Sequence, residues 1–377
     1  MLSPFDDYPI HQTSLPLAQA GGGHPDHYDR FWFNGYAEDL YFGIALGTYP
    51  NRGVIDAAIG VVRDGVQRSL FSSGPLPLDR THTSVGPITV EIIEPMRVAQ
   101  VTIAENEHGV SGTLTFRTRT AALEEPRQTR WNADRLSMDV TRATQLGDWS
   151  GTLMIDGETI DLGLREIRGT KDRSWGIRPV GDPAPMAPPM TVGNDADRLA
   201  ALPQLFFLWA PINFDDTALH YMVFEDRHGT AWSKTAAALP VIDSDGAVVG
   251  PGAPIVHLGD VRHHLGFAEG LRRSESASLE VVETGDVITL EPLFAFHMRG
   301  AGYLHPTWGH GRWHGGPAVG GEVHRSEELD TLDFHNIHVQ QVVRATWGDR
   351  VGLGVLEQLI IGPHTPSGFT DLLDGAR

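Results

Sequence analysis

Two acids, a set of Trp and Tyr residues and a cluster of histidines carry the side chains that could do chemistry in this sequence. Asp172 lies in the charge-rich run Glu166-Ile-Arg-Gly-Thr-Lys-Asp-Arg-Ser-Trp-Gly-Ile-Arg-Pro179, between Lys171 and Arg173. Those two charges would keep its carboxylate ionised, the state that suits a general base or a stabiliser of positive charge. Glu357 differs. If Val351–Ile361 is a strand, Glu357 is the one charge on a stripe of Val351, Leu353, Val355, Leu359 and Ile361. Burying a carboxylate costs several kcal/mol unless it is paired, so Glu357 requires either an ion pair with a core Arg or a raised pKa. The second option makes it a general acid, and two carboxyl groups in unlike environments then divide the acid and base roles. Trp175, in the same run as Asp172, offers an aromatic face to a developing cation.

Thirteen of the 18 histidines lie beyond residue 200, which directs attention to the second half. His297, His305, His310 and His314 share one short stretch with Tyr303, Trp308 and Trp313. Imidazoles can hold zinc or iron when three converge, but the spacing here matches no known ligand pattern. A cavity rim of aromatics and His, with His297, Tyr303 and Trp308 binding substrate, and a scatter of surface histidines are the other two readings. His335 and His338 fall on opposite faces of a strand drawn over Leu332–Thr346, which weakens a joint ligand role.

The elements that must position these residues are strands. On period-2 geometry Glu166, Arg168, Thr170, Asp172 and Ser174 share one face, and Ile167, Lys171, Arg173, Trp175 and Ile177 the other. Asp172 and Trp175 serve one cavity only if a bulge or a bend at Gly176 re-aims one of them. The plain alternative is a solvated edge strand laced with salt bridges. Tyr36–Tyr49 alternates as well, with Tyr41 and Tyr49 separated by Gly43, Ala45 and Gly47, so that a crossing strand or a ligand can approach closely. Short β-rich runs separated by turn signals, such as Asp64-Gly65, Asp156-Gly157, Asp245-Gly246 and Gly348-Asp349, recur in both halves, and helical periodicity is scarce. The expected fold is all-β, two antiparallel sandwiches or barrels. An arm covers 1–30, a first β domain 31–180, a Pro-rich linker 181–204 and a second β domain 205–377.

Composition narrows the function. A chain of 377 residues suits two domains, and 41% hydrophobic with 20% charged residues describes an ordinary globular protein. With 48 acids against 29 bases, nucleic acid and anionic membrane surfaces are poor partners. Cysteine is absent, so disulfides and thiolate chemistry are excluded. No phosphate loop, dinucleotide fingerprint, nucleophile elbow or His-Glu-x-x-His is present, and neither an organic cofactor nor a metal is expected. The start of the chain lacks a signal-peptide pattern and no run is long enough to span a bilayer, so a cytoplasmic location is the expectation.

The segments Asp29-Arg-Phe-Trp-Phe-Asn-Gly35, Gly47-Thr-Tyr-Pro-Asn51, Gly86-Pro-Ile88 and Gly169-Thr-Lys-Asp-Arg-Ser-Trp-Gly-Ile-Arg-Pro179 resemble a bacterial family distantly similar to carotenoid 1,2-hydratases. The wider group takes in AttH-like proteins and fungal decalin-forming Diels–Alderases. The resemblance covers both halves and is strongest around Asp172-Arg-Ser-Trp-Gly176. It implies two lipocalin-like barrels that handle apolar polyene, terpenoid or polyketide substrates without an organic cofactor, with Asp172 and Trp175 at the matched positions. The second-domain hydratase residues have no match one by one, which leaves hydration, cyclisation, isomerisation and cleavage open. The expected function is a cofactor-independent lyase or isomerase acting on a hydrophobic terpenoid, steroid or aromatic molecule held between the two barrels. Asp172 and Glu357 would do the proton transfers, and Trp175, Tyr41, Tyr49, His297, Tyr303 and Trp308 would line the site. A non-catalytic carrier of the same ligands and a His-bound metal oxygenase are the alternatives.

Overall fold

The alternating runs become antiparallel strands because each has β-branched and aromatic residues at every second position to bury, and turn residues that return the chain. The computed structural model describes residues 14, 16–132, 135–183, 203–242 and 255–377. In the first half the strands are β1 (His27–Tyr36), β2 (Leu40–Tyr49), β3 (Val54–Arg63), β4 (Val66–Pro75), β5 (Ser84–Val85), β6 (Ile88–Glu94), β7 (Val98–Ile103), β8 (Val110–Thr118), β9 (Leu123–Glu124), β10 (Gln128–Asn132), β11 (Arg135–Ile155), β12 (Glu158–Asp161) and β13 (Arg168–Ile177). The second half contributes β14 (Leu205–Asn213), β15 (Thr217–Glu225), β16 (Ala231–Pro240), β17 (Val256–His257), β18 (Val261–Phe267), β19 (Ser274–Val281), β20 (Asp286–His297), β21 (Ala318–Arg325), β22 (Val339–Trp347) and β23 (Arg350–Ile361). Short 3-10 turns are the remaining regular structure among the described residues, so the all-β expectation holds.

Two curled sheets result, in the manner of two lipocalin-like β domains. The first runs β21-β4-β3-β2-β1-β13-β11-β8-β7-β6-β5, with β9, β10 and β12 attached to the 21-residue β11. The second runs β17-β16-β15-β14-β23-β22-β20-β19-β18. Each wraps its own apolar core. In the first, Trp149 is edge-on to Phe33, Phe42 and Phe116 at 5.2–5.7 Å between ring centres. Burying each such ring contributes about 1.5–3 kcal/mol. A third cluster lies between the sheets, where Trp32, Tyr36, Tyr41 and Ala45 meet Phe207, Trp209, Phe296, Val342 and Val355. This seam carries the candidate site.

Several expectations need correction. Tyr36–Tyr49 is a hairpin, because the chain reverses over Ala37–Asp39 and Ala37 N–H bonds Leu40 O (2.8 Å). Residues 332–338 are not strand. Asp330 and Asp333 accept hydrogen bonds from the N–H groups of Leu332 (3.0 Å) and His335 (2.7 Å), which fixes turns there instead. Strand β21 belongs to the second half by sequence yet pairs with β4, in register Ala318↔Ser73 to Arg325↔Val66, so the first sheet draws on both halves of the chain. Most of the Pro-rich segment, 184–202, lies outside the described residues.

Candidate active site

Strand register places the polar side chains of the seam in rows. Trp32 on β1, Asp172 on β13 and Thr144 on β11 are direct partners, and so are Arg30, Ser174 and Arg142 one row along. Directly paired residues share a face, so all six point into the seam. Next to them β2 and β3 present small residues, Gly43 opposite Gly60 and Ala45 opposite Ala58, and then Gly47 opposite Asp56. The gaps are filled by protein. A Cβ on Gly43 would stand 2.9 Å from the Trp32 ring, one on Gly47 2.5 Å from the Tyr49 hydroxyl and one on Gly60 2.5 Å from Phe296. The room between the tyrosines thus belongs to aromatic rings of this chain.

Three buried carboxylates meet in this seam. Glu125 accepts from Thr144 Oγ1 (3.1 Å), lies 3.1 Å from His220 Nε2 and is 3.8 Å from the Arg142 guanidinium. Arg142 is also 3.8 Å from Asp172. From the facing sheet, Glu357 accepts from Gln340 Nε2 and from His338 Nε2, each at 2.6 Å. Gln340 Oε1 accepts in turn from Tyr41 (2.6 Å) and Asn34 (3.1 Å), which joins the two sheets through one amide. Burial pushes the Asp172 carboxyl up to about 6; Arg142 opposes this and the charges of Glu125 and Glu357 add to it. Burial acts the same way on Glu125, but Arg142 and His220 outweigh it and hold that carboxyl below the usual range. Burial also disfavours the Arg142 cation, yet Asp172 and Glu125 keep it charged, with its pKa raised. The expectation that Lys171 and Arg173 ionise Asp172 is overturned, since both flanking side chains lie on the other face of β13.

A second knot is centred on Arg30. Its guanidinium donates to the Tyr303 hydroxyl (2.8 Å) and to His310 Nδ1 (2.7 Å), while His310 Nε2 donates to Ala301 O (2.8 Å). His310 is therefore neutral, in keeping with a pKa driven well down by burial and by Arg30 and Arg178. Asp56 accepts from Tyr49 (3.0 Å) and from Gly311 N–H (2.6 Å), and burial raises its carboxyl to about 6 against those bonds and the charge of Arg30. Tyr303 links the two knots. Its ring is edge-on to Trp32 (5.8 Å), His338 (5.0 Å) and His310 (4.4 Å). It also lines a cavity of about 480 Å³ beside the seam, with Arg178, Leu304, His310 and Phe334.

Among the described residues, three atoms in the seam have no hydrogen-bond partner although their side chains are buried: Asp172 Oδ1, His338 Nδ1 and Trp32 Nε1. Such groups cost roughly 1–3 kcal/mol each; Trp32 and His338 contact the Tyr303 ring, and Asp172 is the strand partner of Trp32.

Of the residues singled out from sequence, Asp172, Glu357, Tyr41 and Tyr303 come together, with Tyr49 one contact away through Asp56 and Arg30. Three do not join them. Trp175 is 40% exposed on the far face of β13, whose register with β1 and β11 runs without a bulge through Gly176. His297 donates through Nδ1 to Asn336 O (3.0 Å), and burial lowers its pKa to about 4; it points away from Tyr41, against which its neighbour Phe296 stacks (4.7 Å). Trp308 stacks on Phe71 and His314 outside the network. Arg30, Trp32, Glu125, Arg142 and Gln340 escape the sequence reading, which weighs His338 only as a metal ligand with His335. The alternation Arg30, Trp32, Asn34 inside Asp29–Gly35 is a usable signal, whereas Glu125 is a single acid after a two-residue strand and gives none. Among the described residues no three His, Asp or Glu side chains group as a metal site.

The fold has a solved counterpart. A crystal structure from Nitrosomonas europaea, described as a "putative AttH", superposes with a TM-score of 0.53 at 15% identity over 93% of this chain and 98% of its own. That likeness is one of fold. No curated protein matches the sequence. The sequence model of the family of unknown function DUF8625 matches residues 2–370, and the chain belongs to that family.

Proposed function

We propose that this protein is a cofactor-independent acid–base enzyme of the isomerase or lyase type, acting on a hydrophobic small molecule admitted at the seam between its two sheets. The observation that carries the reading is the pairing of two unlike proton sites in one buried region. Asp172, with its carboxyl near 6 and a free Oδ1, is the proton donor. His338 is the acceptor. Donation from its Nε2 to Glu357 leaves Nδ1 with a lone pair and no partner among the described residues, beside Tyr303. Glu357 then acts as a positioning residue, which reverses the acid role expected for it from sequence.

The charges balance. When Asp172 gives up its proton, the carboxylate forms next to Arg142; when His338 takes one, the imidazolium forms next to Glu357. Each product charge meets a counter-charge already in place, so little reorganisation accompanies transfer. One proton enters the substrate and one leaves, as an isomerisation requires. The faces of Trp32 and Tyr303 would stabilise a transient cation. Trp175, outside the seam, has no part in this scheme.

The reading can be tested before the natural substrate is identified. Apolar ketones, terpenoids and steroids that raise the melting temperature are incubated with the protein in D2O and examined for deuterium by mass spectrometry. Incorporation by wild type, lost in both Asp172→Asn and His338→Gln, is the expected result. Binding without incorporation by any bound compound refutes the catalytic reading and supports a carrier.

A further inference from the structure

A larger cavity than the one beside Tyr303 lies elsewhere. About 720 Å³ opens at one end of the first barrel, on the inner face of the sheet, well within the roughly 300–1,000 Å³ range of small-molecule sites. Phe31, Leu46, Ile92 and Pro95 give it apolar walls, and Ile92 is left 42% exposed at the rim. Its charged lining is largely settled within the protein. Arg173 donates to Asp29 (2.7 Å) and lies over the Phe31 ring (3.7 Å), and Arg80 approaches the other Asp29 oxygen (3.6 Å). Glu91 stands at the rim.

One charge on the same face is not settled. Strand register puts Phe31 opposite Arg173 in the cavity wall, and Phe33 opposite Lys171 one row deeper on the same face. The Lys171 ammonium is buried, donates to Gln145 Oε1 (3.1 Å) and pairs with no carboxylate among the described residues. Gln145 in turn donates to Met96 O (2.8 Å), next to Pro95 in the cavity wall. Burial, then the Arg173 charge, lower the amine to about 8, so at neutral pH it is still mostly protonated. A buried ammonium without a counter-ion is costly, and a ligand anion would relieve that cost. With Lys171, three cations face two carboxylates at this end of the barrel, in a chain whose net charge is -19.

We infer that the mouth of the first barrel is a second binding site, separate from the seam, for an amphiphilic monocarboxylate. Its carboxylate pairs with Lys171 and its apolar body lies along Phe31, Leu46 and Ile92. A neutral or cationic amphiphile of the same length gains the walls and not the ion pair. Head-in binding follows, because the one uncompensated charge is deep and the apolar exposure is at the rim.

The experiment is calorimetric titration at pH 7.5 with dodecanoate, dodecanol and dodecylamine, each below its aggregation limit. One dodecanoate should bind per chain, at least tenfold more tightly than either of the others. Lys171→Met should weaken dodecanoate tenfold or more and leave dodecanol unchanged. Ile92→Glu, on the exposed rim, should weaken dodecanoate and narrow its preference over dodecylamine; it reports on the site even if Lys171→Met fails to fold. Equal affinity for dodecanoate and dodecanol, or dodecanoate binding unaltered by Ile92→Glu, overturns the inference.

Discussion

Asp172→Asn should make the protein more stable and less active, and both effects can be sized. The carboxyl moves from 3.8 to about 6 on folding, because burial outweighs the attraction of Arg142. An acid with the higher pKa in the folded chain binds more protons when folded, so its contribution falls as pH rises from about 4 to about 6 and the loss is complete above that. A rise of this size corresponds to about 3 kcal/mol. The Asn variant escapes this cost. Arg142 keeps Glu125 at 3.8 Å and is not orphaned, and Oδ1 has no hydrogen bond to lose. Allowing for the lost Asp172–Arg142 attraction, a gain of about 1–3 kcal/mol at pH 7.5 is expected, shrinking toward zero near pH 4. Asp56 has a similar raised pKa but is common to both proteins and cancels in the difference. The assay is urea unfolding of both proteins from pH 4 to 8, read as midpoint differences at constant slope. Deuterium incorporation into a bound substrate is followed in parallel and should fall by about 10²–10⁴. A variant that loses 2 kcal/mol or more at pH 7.5, or a difference that stays flat across the pH range, refutes the reasoning.

Three further outcomes are expected. Glu357→Gln removes the counter-charge for an imidazolium at His338 and should lower exchange by about 10²-fold or more, with nitrogen NMR reporting a changed His338 tautomer population. Trp175→Ala alters an exposed residue on the far face of β13 and should leave exchange within about threefold of wild type, or some 0.7 kcal/mol of barrier; a larger loss would return Trp175 to the site. Gly47→Ala places a Cβ 2.5 Å from the Tyr49 hydroxyl, displaces it from Asp56 and should cost about 1–3 kcal/mol, seen as a lower melting temperature; an unchanged one would show that the ring has room to move.

Fold class is readable in the sequence because it rests on local patterns. The Asp156-Gly157 hairpin is an example: both residues adopt positive φ, 51° and 83°, as a two-residue turn between strands requires. The assignment of residues to faces of β13 and β23 is readable for the same reason, since period 2 needs no knowledge of partners. What such patterns lack is the identity of the neighbour. Lys171 and Arg173 adjoin Asp172 in sequence and yet face away, while Arg142, 30 positions earlier, supplies the charge that Asp172 meets. Pairing His338 with His335 on a continuous strand discounts it, and the turn set by Asp330 and Asp333 removes that strand. The crossing of β21 into the first sheet is a long-range choice that no local signal marks.

The polarity of the seam is not what joining two sheets requires. Asn213 already stitches them by donating to Tyr36 (2.8 Å) and to Gly169 O (3.2 Å), and the Trp32, Phe207 and Phe296 cluster supplies apolar burial. A buried ionic network of the Glu125–Arg142–Asp172 kind is commonly neutral or worse for stability than apolar side chains of equal volume. This one also leaves Asp172 Oδ1 and His338 Nδ1 unpaired. Stability therefore gives no account of these residues, whereas the proposed proton transfer would: it would use an acid held near its titration point, a base with an open lone pair, and a counter-charge beside each. The small residues of β2 and β3 fit the same account. Gly43, Gly47 and Gly60 let Trp32, Tyr49 and Phe296 pack close against the sheet, and Tyr303, in edge contact with both Trp32 and His338, also lines the cavity through which a substrate would reach the proposed proton sites.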